Sequence, residues 1–216
     1  MQKGTEVFRP RGRGERGAVA VEAALVTPIL FLLVLGIIEM SLYMRDTISV
    51  TSSVRTGGRV ASVSAGAGPG VCQASASPPP CSPANTPALA QAAADAIQKA
   101  GAAMPKDQIQ YILVYEANAG GYPLPSGNTS LTCSSNCVKY TWDTGLNKFR
   151  YAGGSWISTT INACVNNVDR DTVGIAMVAD HPWITGLFGS GATIRERAVM
   201  NFEPLPSDSC MPGTHL

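Results

Sequence analysis

The side chain with the most to explain is Glu22. It lies in GAVAVEAALVTPILFLLVLGIIEMSLYM, the apolar stretch from Gly17 to Met44. An ionised carboxylate at the centre of a bilayer costs about 2.5 to 3.5 kcal/mol or more, so an acid inside such a run points to a function unless it sits at the headgroup level. Other groups with chemical potential are few. His181 follows Asp180 directly in ADHPW, and neighbours on an extended strand point to opposite faces, so the two do not converge as a base and its orienting partner. His181 reads as a structural residue at a strand end, with Pro182 and Trp183 shaping a loop. The sequence holds no G-x-S-x-G, H-E-x-x-H or phosphate-cradling glycine loop. Trp142, Trp156 and Trp183 read as core packing rather than as a sugar-binding or protein-binding surface.

Six cysteines, Cys72, Cys81, Cys133, Cys137, Cys164 and Cys210, form the second reactive set. An even count outside the cytoplasm favours disulfides over metal ligation. Cys133-x-x-x-Cys137 makes a weak metal knuckle, because His181 and His215 are the only two histidines. Six cysteines allow about fifteen connectivities. Adjacency suggests Cys72 with Cys81, Cys133 with Cys137, and Cys164 with Cys210. No metal, cofactor, small-molecule substrate or enzymatic activity is expected. A net charge of +1 without a dense basic stripe argues against a nucleic-acid partner.

The element that must position Glu22 is a helix. At about 1.5 Å per residue the stretch 17–44 reaches roughly 42 Å, against a hydrocarbon core of about 30 Å. Lys3, Arg9, Arg11, Arg13 and Arg16 precede it against only Glu6 and Glu15, which predicts a cytoplasmic N-terminus and an extracytoplasmic remainder. A cleaved secretory signal fits poorly: the run is long, and Glu39, Met40 and Tyr43 stand where small residues would be needed. Pro28 removes one backbone hydrogen bond and predicts a kink of the kind membrane helices tolerate. Gly36 offers a point of close helix approach. Glu39, Arg45 and Asp46 are expected to mark the water interface.

Beyond the membrane, Val50, Val54, Gly57 or Gly58, and Ala61 recur at helical spacing, predicting a helix extension that needs packing because its β-branched and glycine content is poor for an isolated helix. Arg55 and Arg59 read as solvated. Residues 65–88 are rich in Gly, Pro, Ala and Ser and predict a linker. A helix is expected from Pro87 to about Met104, with Thr86 as N-cap. Strands are expected at Ile109–Glu116, Val138–Trp142, Lys148–Ala152, Ser155–Ile161, Val173–Ala179 and Thr193–Phe202. The sum is an α+β protein, with a long N-terminal transmembrane helix extending into a globular head whose antiparallel sheet packs on helix.

Arg16-Gly17 followed by Ala18, Val19, Ala20, Val21 and Glu22 resembles the processing site of type IV prepilins. The wider RGERGAVAVEAALVTPILFLLVLGIIEM, with SVRTGGRVAS after it, resembles the TadE-like family, minor pilins or pseudopilins of tight-adherence (Tad) pili. VGIAMVADHPWITGLFG and ATIRERAVMNFEP resemble the C-terminal part of that family at lower specificity. The resemblance implies cleavage after Gly17 by a membrane-embedded aspartyl prepilin peptidase, with Ala18 as the new N-terminus. Its freed amine would stand one helical turn from Glu22, at i, i+4. Opposite charges in apolar surroundings favour pairing, and in pilins the glutamate is thought to meet the amine of a neighbouring subunit. An intramolecular pair and a protonated Glu22 are the alternatives.

The resulting organisation is a basic leader (1–17), a transmembrane helix (18–44), a helix extension (45–65), a linker (66–88) and a head (89–216). The implied partners are the peptidase, other pilins or pseudopilins, the Tad assembly machinery and the membrane. The alternative is a single-pass anchored extracytoplasmic binding or regulatory module.

Overall fold

The computed structural model describes residues 14–70, 85–101, 104–165, 170–206 and 210, with the backbone alone for 14–16. Two compact units divide the chain, Met1–Ser41 and Leu42–Leu216. Helix α1, Gly14–Val63, runs continuously through Pro28. Its part from Leu42 onward belongs to the second unit and is called the neck below. The neck packs as a layer of the head.

The head contains helix α2 (Ala88–Ala100) and strands β1 (Ile109–Glu116), β2 (Cys137–Asp143), β3 (Lys148–Ser155), β4 (Thr172–Pro182) and β5 (Gly191–Asn201). They form one five-stranded sheet in the order β3-β2-β1-β4-β5, with every neighbouring pair antiparallel. Central β1 is apolar on both faces, and both faces are covered. On one side Ile112 and Val114 join Val138, Tyr140, Phe149, Ile175 and Met177 beneath Val50, Val54 and Ala61 of the neck and Leu89, Ala93 and Ile97 of α2. Neck and α2 approach closely because of Gly57: a Cβ built there would lie 2.8 Å from Ile97 Cδ1. At Gly58 the built Cβ would lie 3.2 Å from Met200 on β5. The two glycines that weaken the neck as an isolated helix are what let it lie down on the head.

On the other side Leu113, Tyr115, Cys137 and Ala176 make a smaller cluster, roofed by the loop 117–136. Tyr115 Oη donates to the Gly121 carbonyl at 3.0 Å, and burial pushes its hydroxyl up to about 12. The Cys133–Cys137 disulfide pins the loop's end. Gly174 on β4 lies under the Tyr115 ring, where a Cβ would come 2.2 Å from Cε2. Neither ring nor strand has room to yield, and overpacking of this kind costs about 1–3 kcal/mol. Gly174→Ala is therefore expected to destabilise the head by about 3 kcal/mol, at the upper end of that range. Denaturant unfolding of the full chain in detergent measures it, and a loss under about 0.5 kcal/mol would contradict the packing argument.

Two expectations need correction. Helix α2 begins at Ala88 and ends at Ala100, short of Met104; its N-cap is Pro87, in extended conformation and without a side-chain cap bond, not Thr86. The strand expected at Ser155–Ile161 does not form. Ser155 ends β3, and Ser158–Thr160 is a 3-10 turn, because the Trp156 N–H is taken by the Asn85 carbonyl and its ring is buried in the core. Among the described residues of the expected linker, Ala65–Ala67 is a 3-10 turn, and Pro69 pairs with Pro87. At the entrance to β4, Asp171 accepts the Asn162 N–H at 2.7 Å. Burial raises its carboxyl to about 6 although that bond pulls the other way.

Candidate functional site

From Gly17 the helix presents apolar side chains outward. Leu25, Ile29, Phe31, Leu33 and Ile37 are 61–69% exposed. Water does not tolerate so large an apolar surface on a monomer, whereas a bilayer or neighbouring helices do. Gly17 stands in open space, since a Cβ built there meets nothing within 4 Å. Ala18 and Glu22 are likewise exposed, one turn apart on a continuous helix. Neither makes a salt bridge to a described side chain. Pro28 is exposed and Gly36 half-buried.

The neck has an inner and an outer face. Outward, Thr47, Ile48, Thr51, Ser52, Arg55, Thr56 and Arg59 line a shallow groove of about 430 Å³. The hydroxyls of Thr47, Thr51 and Thr56 donate to carbonyls four residues back, at 2.9–3.0 Å. The helix thus satisfies them internally, leaving Arg55 and Arg59 as exposed charges.

Inward lies a pair that the sequence reading did not find. Asp46 Oδ2 is 2.7 Å from His181 Nδ1, with the two residues 9% and 4% exposed. The imidazole is packed edge-on against Trp183 (4.8 Å between centroids, 78°) and Tyr43 (5.5 Å, 76°). Its Nε2 is buried without a hydrogen-bond partner among the described residues. Asp180 points the other way, as the strand alternation requires, and accepts from Gln110 at 2.7–2.8 Å and from Thr193 at 3.1 Å. His181 stands at the end of β4 and is buried there with Asp46. Of the three residues expected to mark the water interface, Glu39 is also buried, at 1% exposure, and Arg45 is exposed. A signal was present: Tyr43, Asp46, Val50, Gly57 and Ala61 lie on one helical stripe, so the acid falls on the inward face.

Cys133–Cys137 and Cys164–Cys210 are disulfide-bonded, as adjacency suggested. The second brings the C-terminal segment to the loop before β4, beside the Cys164–Leu205 bridge. Cys72 and Cys81 lie outside the described residues. No group of three or more His, Cys, Asp or Glu side chains among the described residues is arranged to hold a metal ion. Trp156 is a core residue, while Trp142 and Trp183 are half-buried.

One helix among the described residues is long and apolar enough to cross a membrane, which fits a single-pass membrane protein, and its neck is a layer of an α+β head. Residues 17–59 match the family described as TadE-like protein. The matched segment holds Gly17, Glu22, Pro28, Gly36, Asp46 and both arginines of the neck's outer face, and ends at the point where the neck packs on β5. No curated protein and no solved structure matches the chain.

Proposed function

We propose that this chain is a structural component of a Tad-type pilus assembly or secretion apparatus, a minor pilin or pseudopilin rather than an enzyme. The observation that carries the reading is the coincidence of the TadE-like match with a helix whose large apolar side chains are uncovered. In this reading the basic leader stays in the cytoplasm, prepilin peptidase cuts after Gly17, and the head lies outside the membrane. The open space around Gly17 supports a role in recognition by the peptidase, since nothing in the fold requires a glycine there. The new Ala18 ammonium and the Glu22 carboxylate then set the register between adjacent helices, because two unpaired charges in hydrocarbon are each costly. The outer neck, with Arg55 and Arg59, faces neighbouring pilins or the assembly machinery.

The test is the intact mass and N-terminal sequence of the protein purified from membranes of its native host. A start at Ala18 is expected. A start at Met1, or beyond residue 38, would overturn processing and favour an anchored binding or regulatory module.

A further inference from the structure

The connection between β4 and β5 reads WITGLFGS, and no charged residue occurs from Pro182 to Ile194. Soluble hairpin loops rarely keep such a composition in water. Here Ile184 is 73% exposed, Phe188 54% and Leu187 46%. The loop is nevertheless built. The Trp183 and Phe188 rings meet at 5.5 Å, and the Gly189 N–H donates to the Gly186 carbonyl at 3.2 Å. The apolar tips are therefore held outward by an organised turn.

Its place in the head identifies what it meets. Trp183 packs on Tyr43 at 5.6 Å, and the adjacent His181 is bonded to Asp46. Tyr43 lies at the far end of the apolar stretch, three to six positions after Ile37, Ile38 and Met40, at most about 9 Å along a helix. If α1 crosses a bilayer, Tyr43 emerges at its surface, and the loop fastened to Tyr43 emerges with it. The opposite end of the sheet carries the loop 117–136, which the strand pairing sets a full strand length away. A loop with one half-buried tryptophan, a phenylalanine, two aliphatic tips and no charge is the composition that partitions into the headgroup region.

We propose that the β4–β5 loop is a second membrane contact: it inserts Ile184, Leu187 and Phe188 into the headgroup–acyl boundary beside the point where α1 leaves the bilayer. Two attachments, one spanning and one interfacial, would restrict the tilt and rotation of the head at the surface. The inference rests on the membrane-spanning reading of α1 and is independent of cleavage at Gly17 and of pilus assembly.

The experiment uses the full chain in native membranes, with Phe188→p-benzoylphenylalanine as a photo-crosslinking probe and the same replacement at exposed Val165, next to the disulfide-bonded Cys164, as control. Phospholipid adducts from position 188 and none from position 165 are expected. Adducts at position 188 to protein alone would overturn the proposal and assign the loop to a subunit interface. Quenching by brominated phosphatidylcholine gives a second readout in vesicles. The quenched fraction of tryptophan emission should fall in Trp183→Phe, which leaves Trp142 and Trp156 in place; an unchanged fraction would also overturn the proposal. N-terminal sequencing of the same samples reports processing separately, so failure of one reading is not confused with failure of the other.

Discussion

Glu22→Ala is expected to reduce incorporation into assembled material by two to three orders of magnitude while leaving the head as stable as before. The argument joins the proposed register pair to the cost of breaking it. Removing one member of a buried ion pair typically costs about 3–5 kcal/mol, because the other charge is left without compensation. At about 1.4 kcal/mol per factor of ten, that is a loss of about a hundredfold or more in subunit association. Glu22→Gln should fail nearly as badly, since it preserves shape but not charge, and Glu22→Asp should retain part of the function. The head is insulated because Glu22 belongs to the unit Met1–Ser41 and the head to Leu42–Leu216. The measurement is recovery of the variant in sheared surface material relative to total membrane protein, beside a thermal melt of the purified chain. Wild-type incorporation of Glu22→Ala would remove the charge-pair account.

A large effect on folding is also expected at the neck. His181→Ala leaves Asp46 buried against the sheet with no partner, and Asp46→Ala leaves the imidazole with neither ring nitrogen bonded to a described residue. Each should cost about 3 kcal/mol, or about 6–12 °C in melting temperature for a domain of this size. The double variant Asp46→Leu, His181→Leu should recover much of the loss, since a buried polar pair replaced by apolar groups of similar volume is often near neutral. A double-mutant cycle in detergent-solubilised full chain measures the coupling. Additive single losses, with no coupling above about 0.5 kcal/mol, would mean that the contact contributes little beyond packing.

The strands were legible where they alternate or run apolar between turn residues: β1, β2, β4 and β5 fall within a few residues of their expected bounds. Ser155–Ile161 misled because Trp156 and its β-branched neighbours satisfy a strand pattern, while its N–H is committed to Asn85, some seventy residues away in sequence. No local pattern carries that information. The Asp46–His181 pair was hidden for the same reason, at a separation of 135 residues, although the inward stripe of the neck already placed the acid toward the head. Gly57 and Gly58 were legible as residues poor for a helix and not as contact points, since close approach is a property of two elements. Trp183 was expected in the core and instead stands where loop and neck meet. The candidate assembly residues were read from a short motif. A single chain cannot display their geometry, because the partner in that proposed contact is another subunit.

The neck lies along the sheet in the direction of β5. Asp46 contacts the end of β4, Gly58 faces Met200, and the Ser62 carbonyl receives the Glu203 N–H. A pull applied along the neck's own axis is therefore directed along the strands. It strains Val50, Val54, Gly57 and Ala61 together in shear rather than peeling them off in turn. Contacts loaded in parallel share a force that would open the same contacts one at a time if applied across them. The neck is thus held on the sheet most firmly against tension along its own axis and least firmly against a sideways lever.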